Sequence, residues 1–141
     1  MSFFVEREAN DMKRILWLSR HDMTRVQKHR LLELLPEEER SSAVVSCRMH
    51  VWMASADEEA DNEKNAEAWR EMNADADVIA GVFPPTALTG LLVARGMAEN
   101  DGEFASEWFD PMVVTPVSQI DTRAVNGKAQ KRFLFLRWQR I

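Results

Sequence analysis

Apolar positions along this chain fall into unbroken runs separated by stretches with helical spacing. Lys13 to Ser19 holds Ile15, Leu16, Trp17 and Leu18 in succession between polar residues. Such a run leaves no face for water, and it predicts a centrally placed strand covered on both sides. Asp77 to Phe83 repeats the pattern with Val78, Ile79, Ala80, Gly81, Val82 and Phe83, then stops at Pro84-Pro85. Proline drives the residue before it into extended geometry, so a second central strand ends there. Val44, Val45, Val51 and Trp52 predict another strand somewhere within 42–53, its register open. Met112 to Val117 and Lys131 to Ile141 supply the last two strands, with Pro116 favouring a strand end or edge and Asn126-Gly127 a turn between them. Phe133, Leu134, Phe135, Leu136 and Trp138 crowd both faces of the last strand, which is expected to pack within the sheet.

The segments between these runs read as helices. Thr24-Arg25-Val26-Gln27 has the spacing of a capping box, and Leu31, Leu34 and Leu35 form the buried stripe of the helix that follows, up to Pro36. From Ala56 to Asn73, Ala66, Trp69 and Met72, followed by Ala76, recur at helical spacing on an otherwise acidic, solvent-facing helix. Thr86 is placed to cap a third helix through Ala87, Leu88, Leu91, Leu92 and Val93, with Gly96 as its left-handed stop and 97–110 as a loop.

Strand, helix, strand, helix, strand, helix, strand, strand is the order produced by crossover units, which place parallel strands side by side. The expected fold is α/β: a three-layer Rossmann-like, flavodoxin-like sandwich around a mostly parallel sheet of about five strands. Too few residues precede the last strand for a crossover helix, which allows it to run antiparallel. Residues 1–11 show no period and read as an N-terminal arm, leaving 12–141 as one domain.

Composition narrows the functional classes. A net charge of −5 argues against a broad nucleic-acid-binding surface, which needs clustered cations. Cys47 is the only cysteine, so no internal disulfide can form and a reducing, cytoplasmic setting is expected. No apolar run reaches the roughly 20 residues that span a bilayer, and no membrane partner is expected. Cys47 and His50 have no second Cys-His pair to complete a metal site, so Cys47 reads as a core residue and no metal is assigned. Gly81 and Gly90 belong to no phosphate-binding fingerprint, and no cofactor is expected.

Ligands in open α/β sheets collect beyond the carboxyl ends of the strands where the strand order reverses. Two segments meet that description: Ser19-Arg20-His21-Asp22 after the first strand, and Pro84-Pro85-Thr86 after the third. Ser19, Arg20, His21, Thr24, Pro85, Thr86 and Thr89 are therefore the candidate ligand-binding set. Arg20 offers a phosphate-matching fork, His21 a proton near neutral pH, and the hydroxyls further donors. The same residues also have structural readings, as loop turns and helix caps. For partner contact the candidates are the acidic Asp57, Glu58 and Glu59 and the aromatic Trp108.

The stretch Lys13-Arg14-Ile15-Leu16-Trp17-Leu18-Ser19-Arg20-His21-Asp22-Met23-Thr24, with the later Asp77-Val78-Ile79-Ala80 and its Pro-ending loop, resembles small uncharacterised proteins of phages and mobile elements. More loosely, it is similar to small CRISPR-associated proteins that have a strand followed by a Ser-His-containing loop and a Thr-capped helix and that bind or cleave cyclic oligoadenylate. The first resemblance implies a binding protein that inhibits a host defence system, in the manner of an anti-CRISPR, through protein–protein contact with a defence complex. The second implies a cyclic oligonucleotide-binding protein or metal-independent ring nuclease, working as a homodimer. In it Arg20 would stabilise charge while His21 assists proton transfer.

Overall fold

A computed structural model describes residues 12–55, 57–100 and 111–141. The chain forms β1 (Arg14–Leu18), α1 (Arg25–Leu32), α2 (Glu37–Arg40), β2 (Val44–Arg48), α3 (Glu58–Asp75), β3 (Val78–Gly81), α4 (Pro85–Asn100), β4 (Met112–Val125) and β5 (Lys128–Arg140). The strands make one five-stranded sheet in the order β2-β1-β3-β4-β5. The two apolar runs lie side by side and point the same way, with Ile15 beside Val78 and Trp17 beside Ala80.

The sheet is mixed, a correction to the expectation of a mostly parallel one. β1 pairs in parallel with β2 and β3, and β3 with β4, over short ladders. The antiparallel β4–β5 ladder runs from Val114 opposite Arg140 to Val125 opposite Lys128, as many registered pairs as the parallel ladders hold together. A two-residue turn causes this: Asn126 (φ 52°) and Gly127 (φ 76°) both take the left-handed conformation that matches strand twist in a tight hairpin.

Successive residues of the inner strands point to opposite faces and so build two cores. Leu16, Ile79 and Val113 pack under α3 and α4 with Ala66, Trp69, Met72 and Leu91. Ile15, Trp17, Val78, Ala80, Val114 and Trp138 pack on the other side with Leu31 and Leu35. At these buried positions the run of apolar residues is explained, since both faces are roofed.

Helix ends follow local chemistry. Thr24 caps α1 with a complete capping box: its hydroxyl accepts from Gln27 N at 3.1 Å, and Gln27 Oε1 accepts from Thr24 N at 3.0 Å. Asp57 caps α3 by accepting from Ala60 N, and Glu58 and Glu59 fill its first turn, where they complement the helix dipole. α4 begins one residue before Thr86, with Pro85 at the first helical position, where a missing N–H costs nothing. Thr86 is therefore inside the first turn rather than its cap. Gly96 does not stop the helix, which continues to Asn100. The loop expected over 97–110 thus begins no earlier than residue 101, and 101–110, with Trp108, lies outside the described residues, as does the arm 1–11.

Two further expectations are overturned. Cys47 is exposed, because β2 is the outer strand of the parallel side and has a neighbour on one edge only. β5 is the opposite edge strand: Phe133 is 70% and Leu136 51% exposed. Only the end of β5 that reaches the body is covered, where Trp138 meets Trp17 edge to face at 5.7 Å and donates its Nε1–H to Gln27 O at 2.9 Å.

Candidate functional site

The carboxyl ends of β1 and β3 are adjacent, as the topology requires, and the candidate residues that follow them divide between two places. The Ser19–Asp22 loop is fixed from below. Trp17 donates its indole N–H to the His21 carbonyl at 2.7 Å, the Cys47 thiol points at the same oxygen at 3.8 Å, and Ser19 Oγ accepts from His21 N at 3.2 Å. Arg20 and His21 remain exposed on top of this pinned turn, and Arg20 has no acidic partner among the described residues. Thr24 is occupied as the α1 cap.

Cys47 belongs to this corner. Partial burial, then the hydrogen bond to and charge of Asp22 Oδ1 at 3.6 Å, raise its thiol above the ordinary value. It is therefore a protonated thiol at neutral pH, a weak nucleophile despite its exposure.

Pro85, Thr86 and Thr89 line a separate cleft of about 420 Å³ with Ala54, Ser55, Glu58, Asp61 and Asn62. Here the first turns of α3 and α4 meet the segment after β2. Ser19, Arg20, His21 and Thr24 are not in its walls. Much of its polar lining is already engaged: Asp61 accepts from Ser55 N at 2.6 Å and from Ser55 Oγ at 2.7 Å, while the Thr89 hydroxyl donates to Pro85 O at 3.0 Å. Asn65, behind it, accepts from Met53 N at 2.8 Å and donates to the carbonyls of Met53 and Thr86 at 3.0 and 3.3 Å.

Asp61 and Asn65 went unnoticed in the sequence, where Asp61 reads as one more residue of an acidic run. The signal was their spacing: they continue the buried stripe of Trp69 and Met72 one and two turns toward the helix start. Buried polar groups on such a stripe must be hydrogen-bonded: Asp61 ties the β2–α3 segment to α3 through Ser55, and Asn65 links it through Met53 to Thr86 of α4. Trp69 also reaches α4 through its indole N–H, donated to Ala87 O at 2.8 Å. Above it an aromatic stack continues through Trp52 at 4.8 Å to His50, 4.4 Å further on, with Phe83 on the other flank at 5.1 Å from Trp69. Burial and then the nearby Arg48 charge lower the His50 pKa below 6.5.

A further group of exposed large apolar side chains lies elsewhere, on the hairpin. β4 pairs with β3 over Met112–Val114, and beyond the irregularity at Val117/Ser118 the two last strands, among the described residues, pair with each other alone. Residues 118–125 continue this ribbon for about 25 Å at strand spacing. Pairing aligns Ile120 with Phe133 on the face that continues from Phe135 and Trp138, and Asp121 with Arg132 on the other. Ile120 is 56% exposed, and Leu134 and Val125 on the opposite face are also open to solvent.

The hairpin is also basic. Arg123, Lys128, Lys131, Arg132, Arg137 and Arg140 stand against the single acid Asp121. The whole chain is at −5, so the rest of the molecule is more acidic than that figure suggests. The acidic candidates Glu58 and Glu59 lie exposed at the start of α3. Among the described residues no cluster of His, Cys, Asp and Glu is arranged to hold a metal, and no helix is long and apolar enough to cross a membrane. In comparisons with known proteins, the chain matches no family model, no curated protein and no solved structure.

Proposed function

We propose that this chain is a cytoplasmic binding protein that works by protein–protein contact and that the β4–β5 hairpin is its contact surface. The observation that carries this reading is the exposure of Phe133, Leu136 and Ile120 on a ribbon whose part beyond Val117 pairs with no third strand among the described residues. Large exposed apolar side chains grouped on one element mark contact sites, because their burial against a partner releases water from apolar surface. The body then serves as a rigid base: a flavodoxin-like strand order with helices over both faces, anchoring the hairpin through Trp138. In its most specific form the partner is a host defence complex that binding blocks, the function implied by the likeness to small phage and mobile-element proteins.

The test is affinity capture with candidate defence complexes, comparing the natural chain with a Phe133→Ser, Leu136→Ser double variant. Capture by the natural chain and loss by a variant with an unchanged circular dichroism spectrum supports the reading. Equal capture by both removes the hairpin from it, and capture of none of the complexes removes the defence target.

A second reading is favoured by one observation, the reversal of strand order at β1, which puts the pinned Ser19–Asp22 turn where such sheets bind ligands. On that reading Arg20 and His21 meet a cyclic oligonucleotide, the protein acting as a homodimer. A ribose 2′-hydroxyl attacks the adjacent phosphorus as its proton passes to solvent water, the bond to the 5′-oxygen breaks to leave a 2′,3′-cyclic phosphate, and protonated His21 gives its proton to the departing 5′-oxygen beside the Arg20 charge. Incubation with cyclic oligoadenylates, with Arg20→Ala and His21→Ala as controls, decides it. The absence of both cleavage and a thermal shift disposes of it.

A further inference from the structure

We infer that the open edge of β5 docks an extended acidic segment of a partner protein as an added strand. This deepens the hairpin reading above and rests on it. Among the described residues β5 is the last strand of the sheet, thirteen residues long, and pairs with β4 on one side only. In an edge strand alternate N–H and C=O groups point away from the sheet, and they form a ready template for another extended chain.

Charge decides what can use that template. Along β5, Lys128, Lys131, Arg132 and Arg140 have no acidic partner among the described residues, and Arg137 reaches only the Gln139 side chain, at 3.4 Å. The Asp121 carboxylate is taken by Arg123 at 3.0 Å. A second copy pairing β5 to β5 across a twofold axis would bring these cations opposite one another, and like charges across strands repel. A basic or uncharged apolar strand gains nothing from them. An acidic strand is complementary over the whole length of the edge.

Side-chain alternation sharpens the match. Pairing puts Lys128 and Arg132 on the face with Leu134, and Lys131 on the face with Phe133 and Ile120. Both faces therefore offer a cation next to an exposed apolar side chain. The occupant that fits carries carboxylates interleaved with apolar residues, so that each face of the added strand meets both kinds of neighbour. The cations that keep the free edge from aggregating would then select the sign of the partner.

The experiment uses the full chain and four probes: a ten-residue peptide alternating glutamate and valine, its lysine–valine counterpart, the glutamate peptide N-methylated at alternate residues, and a ten-nucleotide single strand. The glutamate peptide is expected to bind, to protect amides of residues 128–135 from hydrogen exchange, and to weaken roughly tenfold with Lys131→Glu plus Arg132→Glu. The lysine peptide and the N-methylated peptide are expected not to bind. Equal binding by the N-methylated peptide overturns strand addition, tighter binding by the oligonucleotide overturns a protein partner, and self-association through residues 128–135 in sedimentation overturns the charge argument. Failure of the glutamate peptide, while Phe133→Ser, Leu136→Ser still abolishes capture of a defence complex, refutes this inference and leaves the hairpin reading standing. Loss of both refutes the two together.

Discussion

The two halves of the sheet use similar apolar residues to opposite ends. In the parallel half, Ile15, Val78, Ile79 and Ala80 sit in short strands that helices roof on both sides, and all are essentially buried. In the hairpin, Ile120, Phe133 and Leu136 sit in strands about three times as long as β3, and half or more of each side chain faces solvent. An apolar run records that a segment can be covered twice over. Whether it is covered depends on whether the chain supplies a helix for each face, and a two-residue turn supplies none. The parallel half is thus spent on stability, and the hairpin has surface left over for contact.

Substitutions can break this contrast in order of expected effect. Trp69→Ala should cost about 3–5 kcal/mol in denaturant unfolding, through a cavity beside Met72 and Leu91 and the loss of the indole hydrogen bond to the Ala87 carbonyl. A loss under about 1 kcal/mol would mean that the core under α3 and α4 is not the stabilising half. Gly90→Ala comes next, at about 1–3 kcal/mol. Its added Cβ would stand 2.5 Å from Asn65 Cβ, and relief would require moving the residue that ties the β2–α3 segment to α4.

On the hairpin side, Gly127→Ala places a side chain at φ 76° with open space around it, so its cost is the left-handed backbone alone, about 1 kcal/mol. Phe133→Ala, at 70% exposure, should change unfolding by no more than about 0.5 kcal/mol while reducing partner capture. A large stability loss there would show that Phe133 packs on the body, and the contrast would fail.

The smallest expected effect is a pH dependence confined to the parallel half. His50 takes up its proton less readily in the folded chain, chiefly through burial and then through Arg48, so the unfolded chain binds more protons at mildly acid pH. The stabilisation from neutral His50 is complete above 6.5 and is lost as the pH falls through the lowered folded value. His50→Gln should flatten that part of a stability profile measured between pH 7.5 and 5. An unaltered profile would remove His50 as its source.

The sequence by itself determined the local and short-range features. The runs at Ile15 and Val78, the Thr24–Gln27 capping box, the stripe of Trp69 and Met72, and the Asn126-Gly127 turn each encode their structure within a few residues, through periodicity or backbone preference. Adjacency of β1 and β3 was a condition of the expected pocket rather than a reading of any residue pattern, and the sheet supplies it. The candidate site was legible only as two loops near the strand ends. Which side chains share a cleft depends on how closely α3 and α4 approach, and there Asn65 bonds the Thr86 carbonyl and lies against Gly90, long-range contacts that the helical stripe does not specify. Tertiary structure alone decided that Cys47 is exposed and that Phe133 and Leu136 are uncovered. Burial is a property of neighbours, and the neighbours of an edge strand are fixed by where the chain runs out of helices to cover it.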